Sequence, residues 1–163
     1  MIRTIQLTQG KVAVVDCRDY KFLMQWQWFY LKAYKGGYAA RSNGLNQRKV
    51  YMHRAIAERM GLVGRIDHEN RNKLDNRRRN LRLATFSQNN ANCGRRRNNT
   101  SGYKGVYWNK KTKKWQARIE CEGRCLHLKY WTTKAAAARA YDRAALKHFC
   151  EFAVLNFPVG GRA

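Results

Sequence analysis

Hydrophobic and polar positions alternate in short runs through residues 1–50: Ile5-Gln-Leu7, Val12-Ala-Val-Val15 and Tyr38-Ala-Ala-Arg41. Turn signals at Gly10, Gly36-Gly37 and Asn43-Gly44 separate the runs, so the pattern predicts strands joined as hairpins. Between them, Asp19 to Tyr30 carries Tyr20, Leu23, Met24, Trp26 and Trp28, which reads as a short helix leading into an aromatic strand. Trp26, Trp28 and Tyr30 fall at alternate positions, the spacing that buries one face of a small sheet rather than stacking on bases. Asp16 and Asp19 are expected to be turn and cap residues. Val50-Tyr-Met-His53-Arg54 then passes into a helix in which Ile56 and Met60 share a face and Gly61 is the stop.

The next stretch changes character. From Arg65 to Asn92 the chain is dominated by Asn and Arg, too polar for a core. A strand at Ile66 can end at His68, residues 69–80 cannot bury themselves, and Leu81 to Ala84 returns as a strand. Thr85-Phe-Ser-Gln88 has the form of a capping box, so a helix should open there with Asn89 in its first turn. Gly94 to Gly102 has no apolar residue and predicts a basic linker, whose Arg95, Arg96 and Arg97 can follow a phosphate backbone. Beyond it, runs at 103–108, 114–119 and 126–131 predict three strands, followed by an Ala-rich helix from about Lys134 to Phe149. On that helix Ala136, Ala140 and Ala144 form a smooth face, while Tyr141 and Phe149 fill the core. The fold class is α+β. The divisions are a β-rich module at 1–49, a β-turn-β-helix region at 50–93, the linker at 94–101, a sheet-and-helix module at 102–158 and a tail at 159–163.

Charge narrows the function. Lys and Arg number 34 against 10 Asp and Glu, a formal net charge of +24, and such an excess calls for a polyanionic partner. No apolar run is long enough to span a bilayer, and the N-terminus lacks the apolar region of a secretory signal, so an intracellular protein is expected. An odd count of 5 Cys with no C-x-x-C pair argues against a disulfide framework or a zinc ribbon. Cys121 and Cys125 flank Gly123 and could face each other across a hairpin, but are read as reduced thiols.

The combination of Asp67-His68, Asp75-Asn76, Asn80-Leu81 and Asn89 resembles the HNH endonuclease signature of the ββα-metal fold, in the branch whose last position is Asn. The Leu-Thr-Gln-Gly-Lys-Val-Ala-Val-Val-Asp opening resembles segments found ahead of phage and bacterial HNH nucleases. The resemblance implies His68 as general base, a role suited to an imidazole titrating near neutrality. It implies Asp67 and Asn89 as ligands for Mg²⁺ or Mn²⁺, hard ions that favour oxygen donors, and Asn80 as a brace on the loop.

Residues 101–158 resemble the plant ethylene-response-factor DNA-binding domain of the Apetala family through Tyr-Lys-Gly-Val, Lys-Trp-Gln-Ala-Arg-Ile, Ala-Ala-Arg-Ala-Tyr-Asp and Leu-Asn-Phe-Pro. That resemblance implies a three-stranded antiparallel sheet docking in the major groove of double-stranded DNA. The implied contacts are Lys104, Tyr107, Trp108, Lys110, Lys113, Trp115, Arg118, Arg124 and Lys129, joined by the linker arginines. Lys and Tyr stand where several family arginines would be, so base preference does not carry over. The expectation is a homing or phage-type endonuclease, intracellular in a bacterium or phage-encoded, monomeric or weakly dimeric, nicking one strand. The alternative is a DNA-binding regulator that keeps an inactive nuclease fold, and a third reading is an RNA-binding protein.

Overall fold

In the first of two units, Met1–Ala84, the expected hairpins form. The computed structural model describes residues 1–33, 36–44 and 48–158, and the tail expected at 159–163 lies outside them. Strands β1 (Ile2–Gln6) and β2 (Val12–Asp16) pair antiparallel, Ile5 opposite Ala13. Helix α1 (Cys17–Leu23) follows, then β3 (Phe29–Ala33), β4 (Gly36–Ser42) and β5 (Lys49–Tyr51), a three-stranded antiparallel sheet with β4 central. Helix α2 (Met52–Arg59) buries Met52, Ala55 and Ile56, and β6 (Ile66–His68) pairs antiparallel with β7 (Leu81–Leu83).

One apolar cluster joins Ile5, Val15, Leu23, Trp28, Met52, Ile56 and Leu81. It crosses the boundary expected at 49/50, so the N-terminal strands and the His68 hairpin are parts of one unit. Trp28 is buried and its indole N–H donates to Leu23 O at 2.8 Å. Trp26 precedes the strand, packs edge-on against Phe22 with centroids 4.9 Å apart, and carries the Arg41 guanidinium 4.3 Å above its ring.

The second unit, Thr85–Ala163, opens on α3 (Phe86–Asn92). Its capping box is formed in both directions: Thr85 Oγ1 accepts from Gln88 N at 3.2 Å and Gln88 Oε1 accepts from Thr85 N at 2.8 Å. Strands β8 (Val106–Asn109), β9 (Lys114–Cys121) and β10 (Arg124–Trp131) make an antiparallel sheet with β9 central, followed by α4 (Lys134–Phe149). The buried stripe of α4 is Ala137, Ala138, Tyr141, Ala145 and Phe149, with Ala140 beside it. Ala136 and Ala144 of the expected face are only half-buried. The helix is rotated from that reading because the larger Tyr141 and Phe149 set which face turns inward.

Several expectations change here. The units part at Ala84/Thr85, ahead of the expected linker, and residues 94–101 are not a free tether. Arg95 Nη1 donates to Gly102 O at 2.6 Å, Asn99 Nδ2 donates to Tyr103 O at 2.8 Å, and Ser101 is buried. The β-turn-β-helix region is therefore divided, its hairpin in the first unit and α3 in the second. Cys121 stands opposite Arg124 and Cys125 opposite Glu120, so the two thiols do not face each other.

Gly105 shows how closely α4 lies on the sheet. Its φ is +73°, and a Cβ there would sit 2.0 Å from Tyr141 Cδ2 and 2.8 Å from Arg118 O. Gly105→Ala combines overpacking, about 1–3 kcal/mol, with a left-handed backbone that disfavours a side chain by about 1 kcal/mol. Urea unfolding of the full chain should show the second unit destabilised by roughly 2–4 kcal/mol, the sum of those terms.

Candidate functional site

Residues 69–80 form a loop between β6 and β7 whose polarity goes into its own bracing. Asn80 Oδ1 accepts from Asn70 N at 2.9 Å while Asn80 Nδ2 donates to Asp75 O at 2.7 Å, so one side chain spans the loop. Asp75 accepts from Asn70 Nδ2 at 2.8 Å and from Arg77 Nε at 2.7 Å. The N-terminal strands hold the same loop from outside. Val14 N donates to Leu74 O at 2.8 Å and Asn76 N donates to Val14 O at 2.7 Å.

Asp16 and Asp19 belong to this bracing, not to turn and cap roles. Asp16 Oδ2 accepts from Arg78 N at 2.8 Å, and its side chain makes no cap bond to α1. Asp19, fully buried, receives Arg78 Nε and Nη2 at 2.7 Å each and Arg59 Nε at 3.2 Å. Burial is the largest single influence on its carboxyl and pushes the pKa up. The bonds and charge from Arg78 and Arg59 together outweigh it and hold the group below its ordinary value. Periodicity gives no sign of these pairs, because their partners are distant in sequence.

At the mouth of the hairpin, Asp67 and His68 are both buried. Asp67 lies opposite Arg82 in the strand register, and Arg82 Nε donates to Asp67 Oδ2 at 3.2 Å. His68 Nε2 is 3.3 Å from Asn76 Oδ1. The amide of Asn76 is oriented by Nδ2 donating to Leu74 O at 3.3 Å, so its oxygen faces the imidazole and can only accept. Nε2 of His68 therefore carries the proton, and the basic lone pair is on Nδ1. Burial, the largest influence, lowers the His68 pKa despite the opposing Asn76 bond and the Asp67 charge.

His53, on the first turn of α2, packs against His68 with ring centroids 5.1 Å apart and planes at 70°, and against Tyr38 at 5.3 Å and Tyr51 at 5.6 Å. Burial, then the His68 and Arg54 charges, depress its pKa to about 3. Both imidazoles are thus held neutral in the folded chain and protonate more readily when it unfolds. The first unit should lose stability as pH falls from about 6.5, the unperturbed His value, towards about 3. Urea midpoints measured at pH 7, 5.5 and 4.5 would show this as a progressive fall.

Asn89 sits in α3 of the second unit, half-buried, with its N–H donating to Thr85 O at 3.0 Å. In the sheet of that unit, register sorts the expected DNA contacts. Tyr107 stands opposite Gln116, and His127 opposite Arg118, on the face away from α4. There the Arg118 guanidinium lies 4.0 Å above the Tyr107 ring. Tyr130 is opposite Gln116, and its hydroxyl accepts from Asn109 Nδ2 at 3.4 Å. Gln116, His127 and Tyr130 were not expected on this face, although alternation from Arg118 would have found Gln116. Lys110 and Lys113 lie exposed in the β8–β9 turn, Arg124 exposed at the start of β10, and Lys129 at a break in register between His127 and Tyr130. Arg96 and Arg97 are also exposed.

Three expected contacts fall elsewhere. Lys104 is half-buried, and its Nζ donates to Cys93 O at 2.6 Å and to Ala91 O, so its ammonium satisfies the carboxyl end of α3. Trp115 faces α4 and packs against the Val106/Ala117 core with Trp131, while Trp108, opposite Trp115, meets it edge-on at 5.0 Å and remains 48% exposed.

No protein-family model matches the chain, and no solved structure is significantly similar to it. Among characterised proteins, it is 41% identical over 64 residues to the AP2-like ethylene-responsive transcription factor TOE2 of Arabidopsis thaliana, covering 39% of this chain and 13% of that protein. It is 41% identical over 61 residues to the rice APETALA2-like protein 2, covering 37% of this chain and 14% of that protein. It is also 39% identical over 59 residues to Protein 3.8 of Escherichia phage T7, covering 36% of this chain and 49% of that protein. The chain spans at most about half the length of these relatives. A part of this chain, a little over a third of it, is AP2-like in sequence.

Proposed function

We propose that this is a double-stranded-DNA-binding protein whose second unit docks through the exposed sheet face and whose first unit hydrolyses a phosphodiester, so that the whole is a metal-dependent endonuclease nicking one strand. DNA binding is supported by the likeness to a protein named as a transcription factor, by the net charge of +24 and by the Tyr107/Arg118 face with its flanking cations. Cleavage rests on one observation: a buried His68 braced by Asn76 directly after Asp67.

The carboxylate oxygens of Asp67 are hard donors of the kind Mg²⁺ or Mn²⁺ takes. Among the described residues no three His, Cys, Asp or Glu side chains gather. Mg²⁺ is commonly held by one or two carboxylates with phosphate oxygens and water completing its shell. Asp67 would be that carboxylate. The ion, when bound, supplies positive charge to the phosphate oxygens and leaving group. His68 Nδ1 takes the proton from the attacking water, and Asn80 and Asn76 keep the loop and ring in place for it.

The regulator reading is favoured by two specific observations. The plant relatives are named for transcription or for the Apetala family, not for a nuclease, and the Asp67 carboxylate is engaged by Arg82. Supercoiled plasmid incubated with the protein in Mg²⁺ or Mn²⁺ decides between them. Open circles that vanish with chelator support the nuclease, whereas a gel shift without nicking in either metal leaves the DNA-binding regulator.

A further inference from the structure

His68 is gripped on two sides. On one side Asn76, 1% exposed, places its oxygen 3.3 Å from Nε2. Its amide is fixed in turn by Leu74 O and its backbone N–H by Val14 O. On the other side His53, 7% exposed, meets the His68 ring nearly perpendicular, and its own Nδ1 has no hydrogen-bond partner among the described residues. A buried ring nitrogen without a partner is a cost that an apolar side chain of similar shape would avoid.

We infer that Asn76 and His53 are positioning residues for His68, Asn76 fixing its tautomer and His53 fixing the plane of its ring. This rests on reading His68 as the reacting base. The carbonyl oxygen of Asn76 admits only the Nε2–H form, which directs the lone pair of Nδ1 to the opposite edge of the ring. The edge-to-face contact with His53, backed by Tyr38 and Tyr51, resists rotation about the bond joining the ring to the chain. Residues that lock the rotamer of a reacting group act on rate through alignment, where a displacement near 1 Å costs about 10²-fold.

The test has two arms on the full-length protein. In the first, ¹⁵N imidazole spectra at neutral pH report the His68 tautomer without any DNA. Wild type should show a single Nε2–H form, Asn76→Asp, which keeps an accepting oxygen, should preserve it, and Asn76→Ala should give a mixture. A wild-type Nδ1–H form, or an unchanged pattern in a folded Asn76→Ala, overturns the assignment. If Asn76→Ala fails to fold, Asn76→Leu takes its place with the same two outcomes. In the second arm, His53→Ala should slow plasmid nicking by about 10²-fold at unchanged DNA affinity, and His53→Phe, which restores a ring edge, should recover most of the loss. Equal rates for wild type and His53→Ala, or no recovery by His53→Phe, overturn the role of His53. A wild-type protein that binds DNA but never nicks overturns the endonuclease reading, and with it the positioning roles on the rate. The spectra still decide the tautomer.

Discussion

His68→Ala is expected to abolish metal-dependent nicking while leaving DNA affinity nearly unchanged. A general base acts on the attacking water and adds little to phosphate binding, so the loss should appear in rate, on the order of 10² to 10⁴. The structure sharpens the expectation in two ways. The ring is buried behind Asn76 and His53, so truncation removes the base without exposing a new cation, and the loop keeps its Asn80 and Asp75 braces. In addition, burial keeps His68 neutral below its ordinary pKa, so cleavage by the wild type should persist to somewhat below pH 6.5 before failing. An unaltered rate in His68→Ala, measured beside an unchanged gel shift, would remove this residue from the mechanism.

Raising salt from 50 to 200 mM should weaken DNA binding by roughly 10³ to 10⁵, the loss expected when about six to ten phosphates are neutralised. The exposed cations available for this include Arg96, Arg97, Lys110, Lys113, Arg118, Arg124 and Lys129. Each that meets a phosphate adds about 0.9 to the slope of log affinity against log salt. Arg124→Ala should therefore lower the slope by about one, uniformly across DNA sequences. Lys104→Ala should act differently, since its ammonium is engaged by Ala91 and Cys93 carbonyls. Its main effect should be on the stability of the second unit. A shallow slope for the wild type would mean that most of the charge faces away from DNA.

What could be seen in the chain follows from how far apart the partners are. The Thr85/Gln88 capping box, the Gly61 stop and the alternating strands are local, and the structure has them in place. Trp28 was legible as a core residue by alternation, although both Trp26 and Trp28 lie before the strand begins. The Asp19–Arg78 pair, the Val14 contacts to Leu74 and Asn76, and the His53–His68 contact join residues that no short window contains. Asp19 was legible as a helix-start residue and nothing more. The linker reading failed for a related reason. A polar run signals that no side chain seeks a core, yet Arg95 and Asn99 satisfy nearby carbonyls and fix the chain without burying anything apolar. Lys104 misled because a basic residue at the edge of a DNA-reading sheet and one capping a helix end carry the same letter.

Strand β2 is zipped on both edges, to β1 on one and to the His68 loop at Val14 on the other. Anyone moving the HNH-like motif into another scaffold would naturally excise residues 50–93, where its signature lies. That graft would carry His68 but leave behind Val14, Asp16 and Asp19, and with them the backbone and carboxylate contacts that hold Leu74, Asn76 and Arg78. The piece that keeps the His68 loop braced is the whole of residues 1–84, and for this protein the shortest stretch of recognisable sequence is not the shortest stretch that holds its own shape.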